Sequence, residues 1–252
     1  TVITGVSGSG KTTLLKEVIA KQLTDKEIFY SENRPFLSTT KLSTVGTITG
    51  LSELIKKKLG KGFKITKDDI CKTCAGIGSI TVSLDYLSDS ESICPDCDGS
   101  GYRSEILLKK YNGHNIHELL SMEVDIAAKF FADDSKIMKI LSIMNDCGLG
   151  YLHLDQQTNT LSTGEVQRLN LSIALSRFLS GNDPAGKFFL FDEPSTGLHF
   201  SDILNLLKLF KRLNNEGNTV IIAEHRSQII QSADHIVELG PGSGKEGGEL
   251  IS

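Results

Sequence analysis

The sequence predicts an α/β fold in which a mainly parallel sheet is interrupted by a long inserted segment. Three observations indicate this fold. First, the apolar start TVITG leads into a glycine-rich turn and then into TTLLKEVIAKQL, where apolar residues recur at helical spacing. Second, the apolar runs KFFLFDE and TVIIAEH have the length of buried parallel strands. Third, two Cys-x-x-Cys pairs lie between the first strand and these two runs, which indicates a small metal-binding module inside the insertion.

The composition is that of an ordinary globular protein. With 252 residues, of which 39% are hydrophobic and 23% charged, the chain suits one large or two small domains with buried cores. Its net charge of -4 excludes a globally basic nucleic-acid binder, although charge can be segregated on one face. No apolar run reaches the length of a bilayer span and no signal-peptide pattern is present. We therefore predict a cytoplasmic protein with no membrane partner. Because the sequence lacks an initiator Met and begins inside a predicted strand, we expect part of a longer chain or a processed product.

A phosphate-binding loop is predicted at residues 5–12. The segment GVSGSGKT fits the pattern G-x-x-x-x-G-K-[ST], and a strand precedes it and a helix follows it. Its glycines allow successive backbone N–H groups to face phosphate oxygens at the positive end of the helix dipole. Lys11 is expected to reach the β and γ phosphates of ATP, and Thr12 to bind Mg²⁺. The candidate nucleotide-binding residues of this loop are Gly5, Ser7, Gly8, Ser9, Gly10, Lys11, Thr12 and Thr13. The flanks disfavour the alternative, a Gly/Ser-rich turn that only resembles such a loop.

Acidic residues and a histidine end the two later strands. The run FFLFDE ends at Asp192, which is predicted to bind the nucleotide's magnesium ion, and Glu193, which is predicted to polarise the attacking water. A carboxylate neutralised by a metal is a poor base, so the two roles fall on different residues. His225 follows the strand TVIIA and is expected at the carboxyl edge of the sheet, where ligands bind in open α/β folds. Taken alone, His225 fits a capped loop residue better than a catalytic one.

Several helices are predicted outside the phosphate loop. In LSTGEVQRLNL, Ser162 and Glu165 form a capping-box pattern before apolar residues at helical spacing. Alone, this pattern indicates only a well-capped helix. Further helices are expected at residues 116–131, 135–146 and 202–215, where apolar residues recur every three or four positions.

The cysteines predict a structural metal site. Cys71, Cys74, Cys94 and Cys97 have the spacing C-x2-C-x19-C-x2-C, which offers four thiolates for a tetrahedral ion, most commonly Zn²⁺. Four protein ligands leave no open position for catalysis, so the ion is expected to hold a hairpin together. Each pair runs into Gly-x-Gly, which allows a tight turn that directs backbone N–H groups at sulfur. A disulfide or redox pair is the alternative reading.

Charge is segregated around these cysteines. Lys56, Lys57, Lys58, Lys61, Lys64 and Lys67 precede them, whereas residues 75–102 contain five acidic residues and no Lys or Arg. The lysines could contact phosphate groups, but a solvated helix end followed by an acidic loop explains them at least as well.

The motifs together resemble the ABC-type ATPases. LSTGE resembles the signature LSGGQ, STGLH occupies the place of the loop after the catalytic Glu, and His225 fits the switch histidine. The resemblance implies an α/β P-loop NTPase of ABC-ATPase type, in which an inserted helical signature domain carries a zinc hairpin. The ATP-binding core would comprise residues 1–50 and 185–252, and the insertion residues 51–184, with the zinc module at 69–105. It also implies that Ser162, Gly164 and Glu165 bind a nucleotide held by a second ABC module. Thr163 stands where the signature usually has Gly. Its Cβ and hydroxyl add bulk at a point where two modules approach closely, so they affect how tightly the modules close.

Longer segments resemble the UvrA family, the damage-recognition subunit of bacterial nucleotide excision repair. They are YNGHNIHELLSMEV, CGLGYLHL, TNTLSTGEVQRLNL, FDEPSTGLHFSDI and GNTVIIAEHRSQIIQSADHIVELGPGSGKEGGE. The resemblance is to the C-terminal ATPase module. It implies an ATP-hydrolysing protein that binds double-stranded DNA, forms a homodimer and hands DNA to a downstream repair subunit.

The chain also departs from the family pattern. STTKLSTVGTITG stands where the family carries the Arg-rich RTPRSNPATY, and Glu32 is the nearest candidate for an expected Gln. These changes, with the acidic hairpin, favour a UvrA-like paralogue over the repair subunit itself. The alternative to a repair function is a UvrA-like ABC ATPase with a non-repair role, such as drug resistance or action on another cellular target. Two further hypotheses are an ABC ATPase that serves transport and a zinc scaffold resembling the Cys-rich domain of DnaJ chaperones. A DnaJ-like domain should have four Cys-x-x-Cys-x-Gly-x-Gly repeats and no phosphate loop, whereas this chain has two such repeats and one phosphate loop. The scaffold hypothesis is therefore the least favoured.

Overall fold

The computed structural model describes residues 1–31, 43–60, 63–84, 87–179, 186–196 and 198–251. Glu32, Lys41 and Lys61 lie outside these residues. The chain forms two compact units. Unit 1 comprises Thr1–Ser38, Ser142–Leu149 and Leu161–Ser252, and unit 2 comprises Thr39–Leu141 and Gly150–Thr160.

The secondary structure alternates between strands and helices in unit 1 and is mainly helical in unit 2. The strands are β1 (Val2–Gly5), β2 (Ile28–Ser31), β3 (Ser79–Leu84), β4 (Leu87–Ile93), β5 (Lys110–Tyr111), β6 (His114–Asn115), β7 (Phe188–Asp192), β8 (Thr219–Ala223), β9 (Ile236–Gly240) and β10 (Glu249–Leu250). The helices are α1 (Lys11–Thr13), α2 (Ala20–Gln22), α3 (Val45–Thr49), α4 (Leu51–Lys58), α5 (Ser104–Leu107), α6 (Ile116–Leu120), α7 (Val124–Phe130), α8 (Ser135–Asp146), α9 (Thr163–Phe178), α10 (Phe200–Asn215) and α11 (Ser227–Gln231). A wider π-helical segment, Leu14–Ile19, joins α1 to α2, and short 3₁₀ turns occupy Lys67–Asp69, Thr158–Thr160 and Gly244–Glu246.

A six-stranded sheet forms the centre of unit 1. Its strand order is β10-β9-β1-β8-β7-β2. β1 pairs in parallel with β8 and β9, and β7 pairs in parallel with β2 and β8, whereas β10 is antiparallel to β9. The expectation of a mainly parallel α/β sheet is therefore confirmed. Because the carboxyl ends of parallel strands meet at one edge, the residues that follow β1, β7 and β8 are brought together.

Apolar side chains on both faces of the sheet explain why its strands read as continuous apolar runs. On one side Ile3, Leu15, Leu190 and Ala223 form a buried cluster with Leu239. Aromatic rings form a second cluster, in which the Phe178 ring lies 5.5 Å from that of Phe29 and 5.4 Å from that of Phe189, between centroids. Helices therefore cover a parallel sheet whose central strands are buried on both faces.

The units divide the chain differently from the sequence-based boundaries. Helix α9 was expected in the insertion at residues 51–184, but it belongs to unit 1. The reason is tertiary packing, since Phe178 contacts the aromatic cluster of the sheet and the Arg168 guanidinium Nη1 lies 2.8 Å from Asp202 Oδ1 at the start of α10. Residues 43–50, expected in the core, belong to unit 2.

One predicted helix of unit 2 is divided in the structure. The single helix expected at residues 116–131 is wrong, because the chain forms α6 and α7 with a break between them. At the break, Glu123 forms a β-bridge with His153, and the Val124 N–H donates to the Leu152 carbonyl, so this backbone pairs with a distant segment. Helix α8 has the predicted bounds of 135–146, and α10 begins two residues before the predicted start at 202.

No helix in the described part of the chain combines the length and the apolar character that crossing a membrane requires.

Candidate functional site

The predicted phosphate loop follows β1 directly. Gly10 adopts a left-handed conformation, with φ of 97°, immediately before α1. The Leu14 N–H donates to the Gly10 carbonyl at 2.8 Å, so the helix grows out of the loop. Lys11 is buried, with 6% of the residue exposed, and its ammonium donates to the carbonyls of Gly5 (3.0 Å) and Val6 (2.9 Å). The lysine charge therefore lies over the loop itself, beside the N-terminal end of the helix.

The loop is braced by the glycine-rich turn GPGSGKEGG, residues 240–248. The Gly244 N–H donates to the Gly8 carbonyl at 3.1 Å. Gly5 has φ of 140°, and a Cβ added there would lie 2.1 Å from the Leu239 carbonyl oxygen. Any larger residue at Gly5 would collide with the end of β9, which explains the glycine at this point. The sequence indicated only a turn at 240–248, and its contact with the loop was not predicted.

Two residues assigned to magnesium lie side by side. The Thr12 hydroxyl donates to Asp192 Oδ1 at 3.1 Å, although 180 residues separate them in the chain. Thr12 is in the first turn of α1, and Asp192 is the last residue of β7. A hydroxyl and a carboxylate at this separation form a set of hard oxygen donors that fits Mg²⁺.

Glu193 and His225 meet at the same edge of the sheet. Glu193 comes directly after β7, and His225 lies two residues beyond β8. His225 Nδ1 is 4.0 Å from Glu193 Oε1, and 57% of the His225 side chain is exposed. Glu193 has a positive φ of 47°, and its N–H donates to the Ala223 carbonyl at 2.9 Å. A positive φ is uncommon for a residue other than glycine and is found most often at turns and functional sites.

The signature residues cap α9. Glu165 N–H donates to the Ser162 hydroxyl at 3.3 Å, and Glu165 Oε2 accepts from the Ser162 N–H and hydroxyl, both at 2.7 Å. The predicted capping box is therefore confirmed. Thr163 is exposed as the first residue of the helix, and Gly164 is half-buried. The hydrogen bonds described for Ser162 run to Glu165 rather than to the phosphate loop of the same chain.

The four paired cysteines form one cluster in unit 2. Their sulfur atoms all lie within 4.8 Å of one another. The Sγ atoms of Cys71 and Cys94 are 3.8 Å apart, and those of Cys74 and Cys97 are 3.6 Å apart. Zn–S bonds of about 2.3 Å would place the sulfurs of a tetrahedral site about 3.8 Å apart. The cluster therefore has the dimensions of a four-thiolate metal site.

Backbone donors around the sulfurs support this assignment. The N–H groups of Gly78 and Gly101 each donate to a sulfur, of Cys74 and Cys97 respectively, at 3.3 Å. The predicted role of the two Gly-x-Gly turns is thus confirmed. Between the two pairs, β3 and β4 form an antiparallel hairpin in which Ser79 is opposite Ile93. The Cys71 N–H donates to the Gly101 carbonyl at 2.9 Å and closes the module at its base.

Without a bound cation, two of the clustered thiols differ in how readily they ionise. Backbone N–H groups, Cys74 first, lower the pKa of the Cys71 thiol to about 7, whereas burial raises the pKa of Cys97 to about 12. Four adjacent thiols cannot all become thiolates without a positive charge between them. By contrast, Cys147 is isolated in unit 1, and burial raises its pKa to about 12, as for the small buried residue that was predicted.

The lysines before the cysteines are partly neutralised. Lys56 Nζ lies 2.8 Å from Glu53 Oε1, and Lys58 pairs with Asp134. Hydrogen bonding to Asp134 raises the pKa of Lys58. Lys57, Lys64 and Lys67 are exposed. These three residues are the part of the lysine run that faces solvent without an ion pair described for it.

Sequence reasoning missed one buried acidic residue near His225. Glu224 is 0% exposed and accepts hydrogen bonds from Ser195, which follows Glu193 by two positions. The sequence contains one indication of this residue. Glu224 directly follows the apolar strand TVIIA, and a glutamate next to a buried strand needs hydrogen-bond partners if it is buried too. It was overlooked because its partner lies 29 residues away in the chain.

The chain is similar to known proteins of the ABC and UvrA families. The family model described as ABC transporter matches residues 1–196. UvrABC system protein A of Borreliella burgdorferi is 36% identical over 284 residues, which cover 100% of this chain and 30% of that protein. The protein of the same name from Streptococcus mutans is 37% identical over 283 residues, which cover 99% of this chain and 30% of that protein. The crystal structure of UvrA2 from Deinococcus radiodurans matches with a TM-score of 0.74 at 34% identity, covering 100% of this chain and 34% of that one.

These matches confirm the predicted resemblance to the UvrA family and the predicted P-loop fold of ABC-ATPase type. The chain spans 30% of the length of the curated relatives that it matches. The family model covers more than three quarters of the 252 residues and includes the phosphate loop, the signature and both strand-end acids. The chain therefore belongs to the ABC transporter family, and over its full length it is similar to UvrABC system protein A.

Proposed function

We propose that this chain is an Mg²⁺-dependent ATP-hydrolysing module of a DNA-binding protein of nucleotide excision repair. The observation that carries the proposal is the convergence of Lys11, Thr12, Asp192, Glu193 and His225 at the carboxyl edge of one parallel sheet. A cationic loop, a metal-binding pair of oxygens and a carboxylate next to an imidazole are the groups that phosphoryl transfer to water requires. The names of the relatives support the repair assignment and do not favour the non-repair alternative.

Each group has a distinct part in the proposed reaction. The loop N–H groups and Lys11 bind the phosphates and neutralise charge on them. Thr12 and Asp192 hold Mg²⁺, which when bound supplies charge stabilisation at the β and γ phosphates. Glu193 accepts a hydrogen bond from the attacking water and takes its proton. His225 Nδ1 is 4.0 Å from Glu193 Oε1, and we propose that His225 orients that carboxylate or contacts the terminal phosphate of bound ATP.

The partners follow from the family. ABC signature residues complete the nucleotide site of another module, so Ser162, Gly164 and Glu165 are proposed to face a second module or a second copy of the chain. Double-stranded DNA, a homodimeric assembly, a downstream repair subunit and a cytoplasmic location are part of the same proposal. Zn²⁺ is proposed for the four cysteines, with the structural role of joining the two turns at the base of the β3–β4 hairpin.

The proposal is tested by ATP hydrolysis of the full-length protein, measured without DNA, with undamaged duplex, and with duplex that carries a bulky lesion. We expect hydrolysis that requires Mg²⁺ and that changes in rate when the lesion-bearing duplex is added. Hydrolysis indifferent to every DNA, with no detectable DNA binding, would instead assign the chain to an ATPase with another cellular target. Absence of hydrolysis would contradict the proposed activity.

The exposed lysines of unit 2 provide a second prediction. Replacing Lys57, Lys64 and Lys67 together by Gln should weaken DNA binding for all sequences. The slope of log K against log salt should fall by about 0.9 for each DNA phosphate that these lysines neutralise in the wild-type protein. The measurement is a DNA titration at several salt concentrations. A charge-matched control replaces Lys110, Lys129 and Lys136, which are also exposed in unit 2. Equal slopes for the two variants would show that the first three lysines are only solvated.

A further inference from the structure

Glu224 is a buried carboxylate that the proposed reaction does not use. It directly follows β8 and is 0% exposed. Its own N–H donates to the Ile3 carbonyl of β1 at 2.9 Å, so its backbone still belongs to the sheet. A charge in such a position is costly unless hydrogen-bond donors surround it. The identity of those donors indicates what the residue does.

Both oxygens of Glu224 are occupied by donors from two different loops. Oε2 accepts from the Ser195 N–H at 3.3 Å and from the Ser195 hydroxyl at 2.5 Å. Oε1 accepts from the backbone N–H groups of His225 at 2.8 Å and Arg226 at 3.3 Å. His225 Nδ1 is also 3.3 Å from Oε1. An ionised carboxylate only accepts hydrogen bonds, so it matches a setting made of donors.

The two loops are those that carry the proposed catalytic pair. Ser195 is two residues beyond Glu193, and His225 follows Glu224 directly. Glu193 has a positive φ of 47°, a conformation that a non-glycine residue keeps only when its surroundings impose it. The Glu193 N–H bonds to the Ala223 carbonyl, and the His225 imidazole lies 4.0 Å from the Glu193 carboxylate. The Glu224 carboxylate adds two shorter bonds, from the Ser195 N–H and hydroxyl, between the turn after Glu193 and the end of β8.

We infer that Glu224 is a positioning residue for ATP hydrolysis. It joins the turn at Ser195 to the backbone of His225 and so holds the Glu193 and His225 side chains in fixed positions relative to each other. The inference rests on the proposed hydrolytic function. An apolar side chain at this position would leave the four donors buried without an acceptor, which is costly. The location of these donors, on the turn after Glu193 and on the backbone of His225 and Arg226, is what links the carboxylate to the proposed catalytic pair.

The isosteric variant Glu224→Gln separates these roles. An amide offers one oxygen and one NH₂ group, so at least one backbone N–H, of Ser195 or of His225 and Arg226, loses its acceptor and faces another donor, even if the Ser195 hydroxyl turns to accept. The link between the two loops is then weakened while the volume of the side chain stays the same. Ser195→Ala removes a single hydroxyl donor from the other side of the same contact and is the milder variant. Glu249→Gln, at an exposed position in β10, is the matched control.

The experiment measures kcat and KM for ATP in the full-length protein, above the floor set by Glu193→Gln. We expect Glu224→Gln to lower kcat by about 10- to 100-fold, the scale of a catalytic group misplaced by about 1 Å, with little change in KM. Ser195→Ala should lower kcat less, and the double variant should lose less than the product of the two effects, because both disrupt one contact. A folded Glu224→Gln protein with the kcat of Glu249→Gln would overturn the inference, as would fully multiplicative effects.

Amide hydrogen exchange gives a readout that does not depend on turnover. Exchange at Ser195, His225 and Arg226 should be faster in Glu224→Gln than in the control. If the wild-type protein fails to hydrolyse ATP, the proposed function fails, whereas this exchange still decides whether Glu224 holds the two loops together. If Glu224→Gln does not fold, Ser195→Ala becomes the test. A Ser195→Ala protein with the same kcat and the same amide exchange rates as the wild-type protein would refute the positioning role.

Discussion

Replacing Glu193 by Gln is expected to reduce ATP turnover at this site by about 100-fold or more, the usual contribution of a general base. The amide keeps the size and hydrogen-bonding geometry of the side chain but cannot take a proton from water. Because the backbone N–H of Glu193 already bonds to Ala223, the variant should fold normally. ATP binding should persist, since the phosphate loop and the Thr12–Asp192 pair are unchanged. Steady-state hydrolysis and an equilibrium ATP titration measure the two properties separately.

Lys11→Ala provides the comparison for this prediction. Removing the loop lysine should abolish both binding and turnover at this site, and the turnover that remains in the full-length protein belongs to any other module. Glu193→Gln should fall to that same level while it still binds ATP. Turnover well above that level would show that another residue activates water. Loss of ATP binding in Glu193→Gln would place this carboxylate in binding rather than in the chemical step.

Replacing Cys94 by Ser is expected to remove one zinc ion per chain and to unfold the module between Asp69 and Arg103. Cys94 is 0% exposed and its sulfur lies 3.8 Å from that of Cys71. Among the residues that the structure describes, no fifth His, Cys, Asp or Glu joins the cluster to take its place. In small zinc modules the free energy of zinc binding, on the order of 10 kcal/mol at pH 7, is also folding free energy. The measurements are zinc content by elemental analysis and proteolysis of the β3–β4 hairpin.

Cys147→Ala is the matched control for the zinc prediction. Cys147 is also buried, at 2% exposure, but it lies in unit 1 outside the cluster. This substitution should leave zinc content unchanged and should cost only the stability lost with a small buried side chain. An unchanged zinc content in Cys94→Ser would contradict the four-thiolate site. Equal zinc loss in both variants would indicate general unfolding rather than loss of a ligand.

Contacts between distant segments account for what sequence reasoning could not predict. The split between α6 and α7 arises where Glu123 bridges His153, 30 positions along the chain, and apolar periodicity carries no sign of such a bridge. Helix α9 was assigned to the insertion on its position in the chain, but the Phe178 ring packs on Phe29 and Phe189 of the sheet. Packing against the sheet therefore places α9 in unit 1, although its position in the chain suggested the insertion.

The phosphate loop, the strand-end acids and the cysteine module could be derived from residue spacing alone. Each depends on a conformation that a few neighbouring residues impose, such as the glycine turns that direct N–H groups to Cys74 and Cys97. Tertiary structure alone decided which of these local pieces meet. Parallel pairing places β1 beside β8 and β8 beside β7, which brings Thr12 to Asp192 and Glu224 to Ser195. Motifs predicted that Thr12 and Asp192 share a magnesium ion, although 180 residues separate them. The contact of Glu224 with Ser195, 29 residues away, has no such signal, because it depends on the strand order and therefore on the packing of whole elements.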